Sequence, residues 1–269
     1  MTTILLSGCS YTKGIGLDLT CQDPDNAYNI FVKEYFKENY ICDNVARGGN
    51  SNLNIFFDTN LALLKKHYDY TFVCWSSYPR YNFQVGFEPY DFDRRVIFTS
   101  RTMPTHHNGH NLSFSEKWFE DFKKKYMLVH HDHFEIINIM KYMSALELLA
   151  EKVGTKLYFV NNLGQWDEKF FDRLTDFLPS DLTQETKKTL DVDTRDDEDI
   201  YKLYNLMHDN FEANGGIREH KWLNLYSPFR YMKLDFGNDG WHPGPLSHKK
   251  FGAHLAQCFF NLNQTTNTK

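Results

Sequence analysis

Strand-like and helix-like runs alternate along the first 75 residues of this 269-residue chain, and that alternation restricts the fold more than any other feature. Thr3 to Ser7 reads as a strand. Ala27 to Glu38 reads as an amphipathic helix with Ile30, Phe31 and Tyr35 at helical spacing, and Ile41 to Ala46 as a second strand. Leu53 to His67 repeats the helical period, and Tyr70 to Trp75 is a third apolar run. A chain that switches period in this order builds a parallel sheet with helices on both faces, because parallel neighbours need a crossover and the crossover helix packs back on the sheet.

The pattern breaks after the third strand. Tyr81 to Val129 is aromatic and turn-rich, which predicts an insertion over roughly residues 81–130, with a short charged helix at Glu116 to Lys125. Regularity returns at His133 to Lys152, where Ile136, Ile137, Met140, Met143, Leu146 and Leu149 mark one stripe before Gly154. Lys156 to Asn161 gives a fourth strand. Thr175 to Asp199 is a polar connection whose acidic run, Asp191 to Asp199, lacks calcium-loop spacing. A helix over Ile200 to Ala213, a fifth strand over Trp222 to Tyr226 and a closing helix over Ser247 to Phe260 complete the reading. No Pro/Gly/Ser-rich stretch divides the chain, so one domain over 1–269 is expected.

Open parallel sheets bind ligands outside the carboxyl ends of their strands. Ser10, Gly49 and Ser76 follow strands, and Asp239 with His242 follow the last one, so all five fall on that edge. A serine hydroxyl becomes a nucleophile when an imidazole takes its proton, and the imidazole needs a carboxylate to fix its tautomer and stabilise the imidazolium. Ser10, Asp239 and His242 supply these three parts. The G-x-S-x-G elbow of the α/β-hydrolases is absent, which argues against that fold.

Gly8-Cys9-Ser10 with Gly14 four residues beyond the serine resembles block I of the SGNH (GDSL-like) hydrolases. Asn44 to Asn52 is similar to block II, and Asp239-Gly240-Trp241-His242 to the Asp-x-x-His of block V. The resemblance spans nearly the whole chain. It implies a three-layer α/β/α sandwich around a five-stranded parallel sheet, related to the flavodoxin-like arrangement. It also implies a serine esterase with Ser10 as nucleophile, His242 as base, Asp239 as its orienting carboxylate, and in the oxyanion hole the amides of Ser10 and Gly49, with Gly48 as the alternative to Gly49.

Two positions depart from the family pattern. Cys9 stands where block I has Asp, and the third strand runs into Ser76-Ser77-Tyr78-Pro79-Arg80 where block III has an oxyanion-hole asparagine. One lost donor can cost on the order of 100- to 1000-fold in turnover. Candidate replacements are Ser76, Ser77, Asn50 and Asn52, with Arg80 serving transition-state charge or an anionic substrate. Arg80, Tyr11 and Trp241 are the candidate substrate contacts, and the ligand expected is a small-molecule or carbohydrate ester such as an O-acetyl group.

His248 is a rival base expected to face solvent or pack locally, and Cys9 a rival nucleophile. The histidines at 106, 107, 110, 130, 131 and 133 lack a complete ligand spacing, so neither metal nor other cofactor is expected. Net charge is −5 with no basic patch, which argues against nucleic-acid binding. Five scattered cysteines without a C-x-x-C pair, no signal peptide and no membrane-length apolar run point to a cytoplasmic protein without a membrane partner. The alternative to an enzyme is a non-catalytic binding or assembly protein on the same scaffold.

Overall fold

The computed structural model describes residues 1–17, 25–37, 39–76, 80–84, 95–99, 102–106, 132–163, 221–224 and 227–266. Four parallel strands form the main sheet: β1 (Thr2–Ser7), β2 (Tyr40–Asn44), β3 (Tyr70–Trp75) and β7 (Lys156–Asn161), in the order β2-β1-β3-β7. Its helices are the single turn α1 (Ser10–Lys13), then α2 (Ala27–Phe36), α3 (Asn52–Lys65), α4 (Asp132–Val153) and α5 (Pro245–Thr266). The chain is an α/β protein with a parallel sheet.

Alternation within each strand decides which helices cover which face. Ile4, Leu6, Phe72, Cys74, Tyr158 and Val160 point to one side, where Phe31 and Val32 of α2 and Phe251, Leu255 and Phe259 of α5 cover them. Val73, Trp75, Leu157 and Phe159 point to the other, against Ile55 of α3 and Ile139, Met143 and Leu146 of α4. Strands buried on both faces read as uninterrupted apolar runs, which is why β3 and β7 stand out in the sequence. The ring of Phe259 lies within 6 Å of those of Phe31, Tyr35, Phe36, Tyr70, Phe72 and Tyr158, so much of the high aromatic content goes into this packing.

The expected five strands are four among the described residues. Trp222 makes one parallel bridge to Phe159, with Phe159 N–H donating to Lys221 O and Leu223 N–H to Phe159 O. The ladder then stops for a local reason. The Asn224 carboxamide takes the place of a backbone partner, accepting from Asn161 N–H at 2.8 Å and donating to Asn161 O at 3.0 Å.

Within the expected insertion, β4 (Arg80–Gln84), β5 (Arg95–Thr99) and β6 (Thr102–His106) form a separate antiparallel sheet in sequence order. The expectations for Ser77, Glu116 to Lys125, Thr175 to Asp199 and Ile200 to Ala213 lie outside the described residues, as do His107, His110, His130 and His131. Among the described residues no helix is long and apolar enough to cross a membrane, and no group of three or more His, Cys, Asp or Glu is placed to hold a metal ion.

Candidate active site

The loops that follow β1, β2, β3 and β7 are hydrogen-bonded to one another at the carboxyl edge of the sheet. Cys9, extended at φ −103°, leads from β1 into α1, so Ser10 is the first helical residue and is only 3% exposed. Gly14 closes the turn, with the N–H groups of Gly14 and Ile15 both donating to Ser10 O. A Cβ at Gly8 would sit 2.1 Å from Thr12 Oγ1, so the close approach of Thr12 requires glycine there.

The β2 loop reaches the β1 loop through Arg47, whose N–H donates to Gly8 O, and through Asn50. Asn50 Nδ2 donates to Gly8 O at 3.2 Å and to Asp58 Oδ2 at 3.1 Å. Both amide hydrogens of this candidate oxyanion donor are thus engaged with Gly8 and Asp58. Asn52 is likewise committed, accepting from Ser76 N–H at 2.8 Å and donating to Ser76 O at 3.3 Å, which fixes the end of β3. Ser76 Oγ is buried and has no hydrogen-bond partner among the described residues. Gly49 is on the same loop at φ 72°. Arg80 opens β4.

The loop between the 3₁₀ turn (Phe229–Met232) and α5 carries Asp239 and His242. Asp239 Oδ1 accepts from the N–H groups of Trp241 (2.9 Å) and His242 (3.0 Å), and Oδ2 lies 2.5 Å from His242 Nδ1. Burial works to raise this carboxyl's pKa, but the two backbone donors and the imidazole outweigh it and hold it down to about 2. The loop meets the β1 turn at Gly16, whose carbonyl accepts from Asn238 N–H. A Cβ on Gly16, at φ 101°, would lie 2.9 Å from His242 Cβ. The Tyr11 ring stands edge-on to His242, 5.8 Å between centroids. Among the described residues no hydrogen bond joins Ser10 to His242. Trp241 is 81% exposed and does not plug the site.

The two rivals occupy the interior. Cys9 is fully buried against Val73, Trp75 and Phe159. His248, expected to face solvent or pack locally, is fully buried: its Nδ1 accepts from Ala27 N–H, the first amide of α2, and its ring stands edge-on to Phe229. Burial lowers its pKa from the usual 6.5 to about 4. Between those two values the unfolded chain binds the proton and the folded chain does not, so stability present above pH 6.5 is lost progressively toward pH 4. The loss expected is about 3 kcal/mol. Urea unfolding at pH 7 and pH 4 should show it in the wild type and largely not in His248→Asn, which keeps an acceptor for Ala27. Equal losses in both proteins would refute it.

Asn162, absent from the sequence-derived candidates, lies at the centre of the site's framework. Its Nδ2 donates to Thr12 Oγ1 at 2.9 Å, and its Oδ1 accepts from the Tyr28 hydroxyl. The signal for it is positional: Asn161-Asn162 ends an apolar strand on the ligand-binding edge, as Ser76 does.

No family model matches the sequence, and no curated protein matches it significantly. Solved structures do. Many of the solved structures it is similar to are GDSL-type (SGNH) hydrolases. A member of the lipolytic protein G-D-S-L family from Veillonella parvula is 10% identical, covering 97% of each chain at a TM-score of 0.42. A lipase/acylhydrolase from Enterococcus faecalis is 13% identical over 96% of this chain and 94% of its own, with TM-score 0.42. The acetyl xylan esterase AlAXEase is 10% identical over 94% and 97%, with TM-score 0.44. These GDSL-type likenesses concern the fold; activity and substrate rest on the chain's own residues.

Proposed function

We propose that this chain is a serine esterase of the SGNH type, one domain on a three-layer α/β/α scaffold, acting through Ser10, His242 and Asp239. The observation that carries the reading is the Asp239–His242 pair, whose carboxylate makes three hydrogen bonds within its own loop and whose imidazole stands edge-on to Tyr11, the residue after Ser10. With Nδ1–H committed to Asp239, His242 is left with Nε2 as its basic nitrogen, the atom that must take the Ser10 proton. Catalytic hydrogen bonds are often long or unformed before substrate arrives, so the lack of a Ser10–His242 hydrogen bond among the described residues is compatible with this role.

In this mechanism Ser10 Oγ attacks the ester carbonyl carbon while His242 removes its proton. The tetrahedral oxyanion is met by the amides of Ser10 and Gly49 and by Ser76 Oγ, a hydroxyl after β3 with no hydrogen-bond partner among the described residues. Collapse breaks the bond to the leaving alcohol, which takes the proton from His242. Water, deprotonated by His242, then cleaves the acyl-enzyme and returns Ser10. Arg80, Tyr11 and Trp241 would contact a small-molecule or carbohydrate ester, and the free thiols of Cys9, Cys42, Cys74 and Cys258 support a cytoplasmic setting.

A ligand-binding role on the same scaffold has one observation in its favour, that no hydrogen bond joins Ser10 to His242 among the described residues. Labelling with a fluorophosphonate, followed by mapping of the adduct, separates the two. An adduct on Ser10 is expected. No adduct, together with no turnover of p-nitrophenyl acetate, would select the binding role.

A further inference from the structure

Behind Ser10 a set of buried polar side chains converges on one residue, Thr12. Both Thr12 and Asn162 are fully buried. The Thr12 carbonyl accepts from Asn26 Nδ2 and from Asn44 Nδ2, each at 3.1 Å, which ties α1 to the start of α2 and to the end of β2. The Thr12 hydroxyl accepts from Asn162 Nδ2 at 2.9 Å, which ties the same turn to the end of β7. Asn162 is itself fixed. Its Oδ1 takes the Tyr28 hydroxyl, its carbonyl takes Arg230 N–H at 2.9 Å, and its Nδ2 lies 3.9 Å from Cys9 Sγ.

We propose that Asn162 is a positioning residue for the reaction: it holds Thr12, and through Thr12 the one-turn helix that aims the hydroxyl and the backbone amide of Ser10. The claim rests on the esterase reading above. A four-residue helix is far too short to persist alone, so its geometry must be imposed by its neighbours. Asn26 and Asn44 fix the turn's carbonyl end, whereas Asn162 grips its side-chain face next to Cys9, the residue before the nucleophile. Displacement of a reacting group by about 1 Å can cost on the order of 100-fold in rate, so loss of this grip should appear in the chemical step rather than in substrate affinity.

The test uses Asn162→Leu and Thr12→Val, which remove the donor and the acceptor, with Thr12→Ser, which restores the accepting oxygen. For the first two, kcat on p-nitrophenyl acetate and the rate of fluorophosphonate labelling at Ser10 should both fall about 10- to 100-fold, with KM within about two-fold of wild type. Thr12→Ser should recover most of the loss. Hydrogen exchange at the Gly14 and Ile15 amides, which close the turn on Ser10 O, should accelerate in Asn162→Leu and Thr12→Val. Folded variants with wild-type kcat and wild-type exchange overturn the proposal. If the wild type neither labels nor turns over ester, the esterase reading fails, and the exchange measurement alone decides whether Asn162 holds the turn.

Discussion

Ser10→Ala should abolish ester turnover, lowering kcat on p-nitrophenyl acetate by on the order of 10⁴- to 10⁶-fold while leaving the fold intact. The two halves of this expectation come from different observations. Removing Oγ removes the atom that forms the acyl-enzyme, so only the oxyanion donors and substrate binding remain to accelerate attack by water. Stability is spared because, among the described residues, the Ser10 hydroxyl makes no hydrogen bond. The helix-closing bonds from Gly14 and Ile15 go to its backbone carbonyl, which alanine keeps. Thermal unfolding of the variant should therefore match the wild type. Undiminished turnover would remove Ser10 from the mechanism, and the burial of Cys9 would make the neighbouring thiol an unconvincing substitute.

Local chemistry explains where sequence and structure agree. Tyr70–Trp75 and Lys156–Asn161 are found at their expected boundaries because both are apolar runs covered on both faces. The expected second strand runs on to Ala46, whereas β2 ends at Asn44. Backbone pairing to the β1 segment continues past that point, with Val45 N–H donating to Leu6 O and Arg47 N–H to Gly8 O, while the Asn44 side chain accepts from Ala46 N–H and donates to Thr12 O, turning the segment into the loop. At the expected fifth strand, described as far as Asn224, the Asn224 carboxamide takes the place of a backbone partner for Asn161, and periodicity does not register such a substitution. The closing helix begins at Pro245 rather than Ser247 because Asp235, ten residues earlier, accepts from the N–H groups of Leu246 and Ser247. A cap supplied from that distance leaves no local signature.

The candidate site divides in a similar way. Ser10, Gly49, Asp239 and His242 are legible because each belongs to a short motif and each lies on one edge of an open sheet. Asn162 and Tyr28 belong to no motif, and their role depends on a contact between the end of β7 and the turn after β1, 150 residues apart for Asn162 and Thr12. Among the candidates for a third oxyanion donor, Asn50 and Asn52 are engaged with Gly8, Asp58 and Ser76, whereas the Ser76 hydroxyl has no hydrogen-bond partner among the described residues, a difference in contacts that the sequence does not carry.

Asp239→Asn should be nearly as damaging as loss of the nucleophile, on the order of 10⁴-fold in kcat with KM little changed, and its geometry gives the reason. Oδ1 of Asp239 is pinned by the N–H groups of Trp241 and His242, and only an oxygen can stay there. The new amide nitrogen must then occupy the position of Oδ2, directly against His242 Nδ1. An N–H₂ group facing Nδ1 requires that nitrogen to be the acceptor, which places the imidazole proton on Nε2. The ring then presents a donor to Ser10 where the mechanism needs an acceptor. The loop itself should keep its shape, since both backbone donors retain their partner. Because the wild-type carboxyl is held down to about 2, Asp239 stays ionised at any ordinary assay pH, so an acid loss of activity near neutrality would not be its titration. Measured kcat and KM for the variant, with unchanged thermal unfolding, check this. A loss under ten-fold would mean that Asp239 does not set the tautomer of His242, and the pair would then be a structural brace for the loop.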